Sequence, residues 1–94
     1  MESNMLNRDL VQTENNKNGP FLNVGFGFIV NMNRVTSILP YAGKSVKLLY
    51  SNKLNSGELF DATRGRKKRS IIVFDTGAIM SSSFSPETIA NRQI

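Results

Sequence analysis

The longest uninterrupted apolar run in the chain, Ile71-Ile72-Val73-Phe74, constrains the fold most. Neighbouring side chains of a strand point to opposite faces, so this run predicts a strand that is covered on both faces. A chain of 94 residues buries only roughly 60 % of its unfolded surface and has room for one core. We therefore expect one small α+β domain with a helix on one face of a sheet and another layer on the other face.

The remaining strands are predicted from apolar alternation and from turn residues. Five strands, joined largely as an antiparallel meander, are expected at residues 22–32, 35–40, 59–63, 71–74 and 79–84. Gly25 and Gly27 lie opposite the apolar row of the first strand, which indicates a bulge or a closely approaching backbone. A bend near residues 31–33 leads into the second strand, and Asp75 to Ala78 form a tight turn.

Two helices complete the predicted fold. The central helix spans residues 43–56 and ends at Gly57. Its apolar side chains fall on one stripe: Val46, Leu49, Tyr50 and Leu54. A short C-terminal helix begins at Ser85-Pro86-Glu87, where serine is the N-cap, proline is the first helical residue and glutamate lies in the first turn, and it extends through Arg92.

The chain divides into a leader and a folded domain. Residues 1–20 are rich in asparagine, carry a net charge of −1 and end in Gly19-Pro20, which predicts a disordered leader. Residues 21–94 carry ten basic and four acidic side chains, a net charge of +6. The basic character therefore belongs to the predicted domain at 21–94, and so small a domain is expected to associate with copies of itself.

The residue types that are missing exclude several functions. The chain has no cysteine and no histidine, so we expect no Cys/His zinc site, no disulfide and no Ser-His-Asp triad. No apolar stretch approaches 18 residues, and the N-terminus lacks the apolar core of a signal peptide. We expect a cytoplasmic protein that is not an enzyme, with no cofactor, no small-molecule substrate and no membrane partner.

A run of positive charge is the strongest functional signal. Five of the twelve basic residues lie within six positions: Arg64, Arg66, Lys67, Lys68 and Arg69. Their mutual repulsion must be offset, either by water around a solvated turn or by the phosphates of a nucleic acid. In an extended segment, alternate members of the run would face opposite sides. No aromatic residue interleaves with the run, which favours backbone contacts over base stacking and leaves duplex DNA and structured RNA both open.

Two further residues carry alternative interpretations. Arg34 continues the register of the first apolar row, so it either projects as a cation that binds phosphate or carboxylate, or loses that register at the bend. Asp75-Thr76-Gly77-Ala78 repeats the D-T-G-A of retroviral-type aspartic peptidases, which would make a dimer that uses Asp75. Only sixteen residues follow Ala78, too few for the second half of such an enzyme, so a tight turn explains the motif better.

Four segments in order resemble the RemA family, the extracellular matrix regulatory protein A-like proteins. They are Leu22-Asn23-Val24-Gly25-Phe26-Gly27, Asn33-Arg34-Val35, the segment Asp61-Ala62-Thr63-Arg64-Gly65-Arg66-Lys67-Lys68-Arg69, and Ser85-Pro86-Glu87-Thr88-Ile89-Ala90-Asn91-Arg92. The resemblance covers residues 21–92. The chain departs from the family pattern before the central helix, where Tyr41 and Ser45 replace prolines.

The resemblance implies a bacterial transcriptional regulator of biofilm matrix genes that binds duplex DNA. It implies a homo-oligomer, a ring that displays basic residues to DNA near the nucleoid. Arg34 matches a DNA-binding arginine of the family, and Arg66 and Lys67 match a basic pair. With the rest of the basic run, the expected DNA-binding residues are Arg34, Arg64, Arg66, Lys67, Lys68 and Arg69.

Overall fold

The computed structural model describes residues 21–91, which form an α+β fold. The strands are β1 (Phe21–Asn23), β2 (Ile29–Asn31), β3 (Val35–Pro40), β4 (Leu59–Asp61), β5 (Ser70–Phe74) and β6 (Ile79–Ser82). The helices are a 3-10 turn (Met32–Arg34), α1 (Gly43–Ser56) and α2 (Pro86–Ala90). Neither α-helix in this part of the chain is long and apolar enough to cross a membrane. The predicted leader lies outside the described residues.

The prediction of one strand over residues 22–32 was wrong, because the segment folds back on itself. β1 and β2 pair antiparallel as a two-stranded sheet, with Leu22 opposite Val30. Between them, Gly25, Phe26 and Gly27 have φ angles of +107°, +55° and +81°. A continuous strand needs negative φ throughout, so three successive left-handed residues reverse the chain.

The antiparallel meander was also wrong at one strand, because the second sheet is mixed. Its order is β3-β5-β6-β4, and β4 pairs parallel to β6 while the other pairs are antiparallel. The connection from β4 to β5 therefore crosses the C-terminal end of β6, whereas a meander would join two neighbours by a hairpin. A sequence pattern gives strands and turns, whereas the neighbour of each strand depends on packing.

The prediction that the apolar run is covered on both faces is confirmed. Ile71 and Ile72 point to opposite faces of β5, and both are fully buried. Ile72 belongs to a core with the β1–β2 hairpin, the start of the basic segment and α2: Leu22, Val24, Val30, Ala62 and Ile89. Ile71 and Ile79 are buried on the opposite face of the sheet, and α1 contacts β4 of the same sheet.

The central helix begins and ends where it was predicted, at Gly43 and Ser56, with Gly57 as its left-handed C-cap. Its apolar stripe is less buried than the spacing indicates, because none of its residues is buried. Leu54, on the predicted stripe, is 55 % exposed, and Leu48, off that stripe, is 61 % exposed. α1 therefore presents an apolar surface to the outside of this chain.

The C-terminal helix is confirmed from Pro86, and its capping follows the prediction. The Ser85 hydroxyl accepts a hydrogen bond from the Thr88 N–H at 3.1 Å, and Glu87 lies in the first turn. The helix ends at Ala90, and Asn91 is its C-cap. The prediction that the helix extends through Arg92 was therefore wrong at Asn91, and Arg92 itself lies outside the described residues.

Candidate nucleic-acid interface

The positively charged segment, residues 62–69, is here called the basic loop, and both of its ends are bonded to β6. At one end the Ala62 N–H donates to the Ser81 carbonyl at 3.0 Å. At the other end the Arg69 N–H donates to the Ser82 carbonyl at 2.8 Å. The loop joins β4 to β5 across two strand spacings, about 10 Å, so it forms a closed bridge over the end of β6.

Asp61, the last residue of β4, organises the start of the basic loop. Its Oδ1 accepts hydrogen bonds from the Thr63 hydroxyl at 2.6 Å, the Thr63 N–H at 2.9 Å and the Ser81 hydroxyl at 2.9 Å. These bonds, led by the Thr63 hydroxyl, together with the charge of Lys68, lower the pKa of the Asp61 carboxyl, although partial burial opposes them. The Asp-Ala-Thr sequence is therefore a local brace for the loop.

Two turns with the same backbone conformation lie next to each other at the surface, where Phe26 of one is close to Arg64 and Arg66 of the other. One runs from Gly25 to Phe28 and the other from Thr63 to Arg66, and each is closed by a 3.0 Å hydrogen bond between its first and last residues. In each turn both central residues have positive φ, as in type I′ turns. The second central residue is glycine, whereas the first is a large side chain, Phe26 (φ +55°) or Arg64 (φ +53°).

The Phe26 ring meets the basic loop in space. The guanidinium carbons of Arg64 and Arg66 each lie 5.7 Å from the centre of this ring, within the range of a cation–π contact. The ring remains 45 % exposed. An aromatic group thus stands among the charges in space, although none interleaves with the run in sequence. The preference for backbone contacts over base stacking, which rested on the sequence of the run, stays a prediction.

Lys68 lies on the other side of the loop. Its ammonium nitrogen is 5.1 Å from the Tyr50 ring centre and 5.6 Å from that of Tyr41. The two rings pack edge to face at 5.5 Å, and Lys47 lies 5.8 Å from the Tyr41 ring. Lys68 is half-buried, while the other four cations of the run are exposed. The alternation of an extended segment is not followed here, because Arg66 lines the same cleft as Lys67 and Arg69 rather than lying with Lys68 beside the tyrosines.

Arg34 is separated from the basic loop within one chain. It ends the 3-10 turn, so the bend predicted near residues 31–33 is confirmed. Its carbonyl accepts from the Asp75 N–H at 2.8 Å, at the end of β5 opposite to Arg69. Six residues of extended chain separate Asp75 from Arg69, about 20 Å at the usual rise of a strand. The structure therefore gathers five of the six predicted residues around the loop and leaves the sixth apart.

The Arg34 side chain is paired with the carboxylate of the predicted tight turn. Its Nε lies 3.0 Å from Asp75 Oδ2 and 3.3 Å from Oδ1, and the arginine side chain is still 60 % exposed. An exposed pair of this kind contributes little to stability and is readily exchanged for another anion. Asp75 thus forms a weak, exposed ion pair with the arginine.

A family model for RemA-like proteins, described as extracellular matrix regulatory protein A-like, matches residues 21–93. The chain belongs to this family. A protein of Lachnoclostridium phytofermentans, named "Putative regulatory protein", is 42 % identical over 71 residues, which is 76 % of this chain and 78 % of the relative. Proteins of Carboxydothermus hydrogenoformans and Nostoc punctiforme bear the same description and are 40 % and 39 % identical, over 77 % and 76 % of this chain and 83 % and 81 % of theirs.

The RemA-like domain also contains site residues that sequence reasoning missed. Phe26, Tyr41 and Tyr50 contact the basic loop, although they are distant from it along the chain. A signal for the first was present, since an aromatic residue flanked by two glycines indicates a turn that displays its ring. Nothing in the spacing could have placed the two tyrosines beside Lys68.

Proposed function

We propose that this protein is a DNA-binding transcriptional regulator of the RemA type, acting on genes of the extracellular matrix, and that it binds duplex DNA through phosphate contacts. The observation that carries the proposal is the basic loop itself. Four of its cations are exposed, at Arg64, Arg66, Lys67 and Arg69, on a loop whose two ends are bonded to the same strand. A braced loop loses little conformational entropy when it binds.

Phosphate contacts suit these side chains and this arrangement. Each Lys or Arg that neutralises a phosphate releases condensed counterions, so clustered cations gain affinity without reading a sequence. The loop is exposed and has no regular helix or long β-ribbon that could enter a major groove. We therefore propose that it follows the DNA backbone and that any sequence preference comes largely from the shape of the duplex.

Arg34 supplies a second contact. A separation of about 20 Å from the loop corresponds to about six base pairs along a duplex at 3.4 Å per step. We propose that one duplex touches both positions on a single subunit and that a homo-oligomeric ring repeats the pair around its circumference. Repetition raises the effective concentration of every further contact, so weak individual loops bind together with high affinity.

Association of subunits is supported by apolar surface outside the charged region. Leu48 and Leu54 on α1 and Phe60 on β4 are all more than 45 % exposed in the single chain. Exposed apolar side chains of this size on neighbouring elements are typical of surfaces that bind another protein. We propose that these elements contribute to contacts between subunits, away from the basic loop.

The test is a fluorescence-anisotropy titration of labelled duplex DNA, with unlabelled DNA and RNA duplexes of equal length as competitors. DNA should compete better than RNA, and Arg34→Ala should weaken binding roughly tenfold for the loss of one charged contact. Lys44→Ala, an exposed lysine in the first turn of α1, is the matched control and should bind normally. Light scattering should report the same oligomer for all three proteins. Better competition by RNA, or equal losses in the two variants, would contradict the proposal.

A further inference from the structure

A cleft lies beside the basic loop, between that loop and the β1–β2 hairpin. Its volume is about 320 Å³, at the small end of the range of about 300–1,000 Å³ that is typical of small-molecule sites. Six residues line it: Phe26, Arg66, Lys67, Arg69, Ser83 and Phe84. A cleft of this volume fits one compact ligand rather than a large one.

The charge of the cleft selects an anion. Three of its lining side chains are cations, Ser83 adds a hydroxyl, and none of the lining residues in the described part of the chain is acidic. Arginine offers a planar fork that bonds two phosphate oxygens at once, and lysine adds a point charge. Phosphate is therefore the anion that these groups match best.

The aromatic side of the cleft adds a second feature, a phenylalanine ring that is both strained and exposed. Phe26 stands at the first central position of a turn with φ +55°, a backbone conformation that glycine and asparagine adopt far more easily. The ring gains little from burial, because it is 45 % exposed. Strain in a bulky residue that is not buried in the core points to a role at the surface.

The surroundings of Phe26 form a platform for a flat ring. Arg66 lies against its ring at 5.7 Å, and Arg64 lies at the same distance outside the cleft lining. The Phe84 ring packs on the backbone of Gly25, where an added methyl group would stand 3.5 Å from it. Nucleobases stack on both aromatic rings and guanidinium planes.

We propose that this cleft binds a nucleotide, with its base against Phe26 and its phosphate held by Arg66, Lys67 and Arg69. The inference is independent of duplex binding, because a single nucleotide satisfies the cleft. The same chemistry is available from a free mononucleotide, which would act as an effector, and from an unpaired nucleotide of a strand. If duplex DNA also uses Arg66 and Lys67, nucleotide and duplex compete for them.

Isothermal titration calorimetry on the full chain, without duplex DNA, tests the proposal. The probes are AMP, ribose 5-phosphate, and a short single-stranded oligodeoxyadenylate. AMP should bind more tightly than ribose 5-phosphate, because only AMP carries a base. Phe26→Leu should weaken AMP binding by about five- to 150-fold, the effect expected for losing one stacked base, and leave ribose 5-phosphate binding unchanged.

Two further variants separate a lost platform from a damaged fold. Phe26→Asn removes the ring with a residue that tolerates positive φ, so its turn should still form and AMP should still be lost. Phe21→Leu removes a half-buried ring of β1 that does not line the cleft, and AMP should bind this variant normally. If AMP binds and its binding depends on Phe26, the ligand of the cleft is a free nucleotide. If only the oligonucleotide binds in a Phe26-dependent way, the ligand is an unpaired nucleotide of a strand. The proposal would be overturned if AMP bound no better than ribose 5-phosphate and the oligonucleotide showed no Phe26-dependent binding. It would also be overturned if the Phe26 variants bound both AMP and the oligonucleotide normally.

Discussion

The two sides of the basic loop use the same interaction, a cation on an aromatic ring, for different purposes. On the hairpin side, Phe26 is half-exposed on a strained turn, and the arginines beside it remain exposed. On the helix side, Tyr41 and Tyr50 are half-buried and pack on each other, and Lys68 is half-buried above them. The first arrangement leaves its charge open to a ligand, whereas the second attaches the loop to α1.

The clefts on the two sides of the basic loop also differ in the charge of their lining residues. The cleft on the hairpin side has no acidic residue in its lining, whereas the cleft on the helix side, of about 300 Å³, includes Glu87. A carboxylate in the lining lowers the affinity for an anion. The division is not complete, because Lys67 and Arg69 line both clefts, whereas Arg66 lines only the first of these two and Lys68 only the second.

The largest effect on duplex binding should come from removing two exposed cations of the basic loop that lie on its hairpin side. We expect Arg66→Ala combined with Lys67→Ala to weaken duplex binding by roughly a hundredfold, about tenfold for each charged contact. Lys44→Ala combined with Lys47→Ala removes the same charge from α1 and should change affinity only a few-fold. Anisotropy titrations at one salt concentration check both. Similar losses in the two double variants would show that net charge, rather than the loop, binds DNA.

Lys68→Ala should have the opposite profile. The variant loses contacts with two rings, so its free energy of unfolding should fall by about 1 kcal/mol, while duplex affinity changes less than about threefold. Lys67→Ala should keep its stability and lose affinity. Urea denaturation and anisotropy on the two variants provide the comparison, and a Lys68→Ala protein of normal stability with strongly reduced affinity would remove the distinction between the two sides.

Phe26→Asn should stabilise the domain slightly. Strain of a bulky residue at positive φ costs on the order of 1–3 kcal/mol, and its relief is partly offset by the lost contacts with Arg64 and Arg66. We expect a gain below about 1 kcal/mol in urea denaturation. Tyr50→Ala, made on the helix side, should instead lower stability. A clear loss of stability in Phe26→Asn would mean that both rings are structural.

The smallest effect concerns the brace at Asp61 and appears only in acid. Since the pKa of this carboxyl is lower in the folded protein than in the unfolded chain, its contribution is complete above the unfolded value of about 3.9. The contribution is lost as pH falls through the folded pKa. Asp61→Asn should therefore flatten the decline in thermal midpoint below about pH 4, and Thr63→Val, which removes the leading hydrogen bond, should flatten it partly. An unchanged acid limb in both would rule out the brace.

Local signals predicted much of the fold. The capping of α2 by Ser85, the span of α1 and the two-faced burial of Ile71 and Ile72 all depend on neighbours in sequence, and each is confirmed. The strand predicted over residues 22–32 was wrong because two glycines outweighed the apolar alternation. The parallel pairing of β4 could not be predicted, since it depends on which strand lies between two others in space.

The candidate site was predictable as charge and not as geometry. The basic run stands out in composition, so five residues of the site were evident before the structure. The rings on either side come from residues 26, 41 and 50, and only folding brings them to the loop. For the same reason, sequence gave no sign that Arg34 and the loop lie at opposite ends of β5.

The salt dependence of duplex binding measures how many DNA phosphates the exposed cations of the basic loop neutralise. The logarithm of the affinity should fall linearly with the logarithm of salt concentration, by about 0.9 for each phosphate neutralised. The Arg66→Ala/Lys67→Ala protein should lose about 1.8 from that slope, and Lys68→Ala should keep the full slope. A flat dependence in the parent protein, or a slope unchanged by the double substitution, would show that the loop does not bind DNA through phosphates.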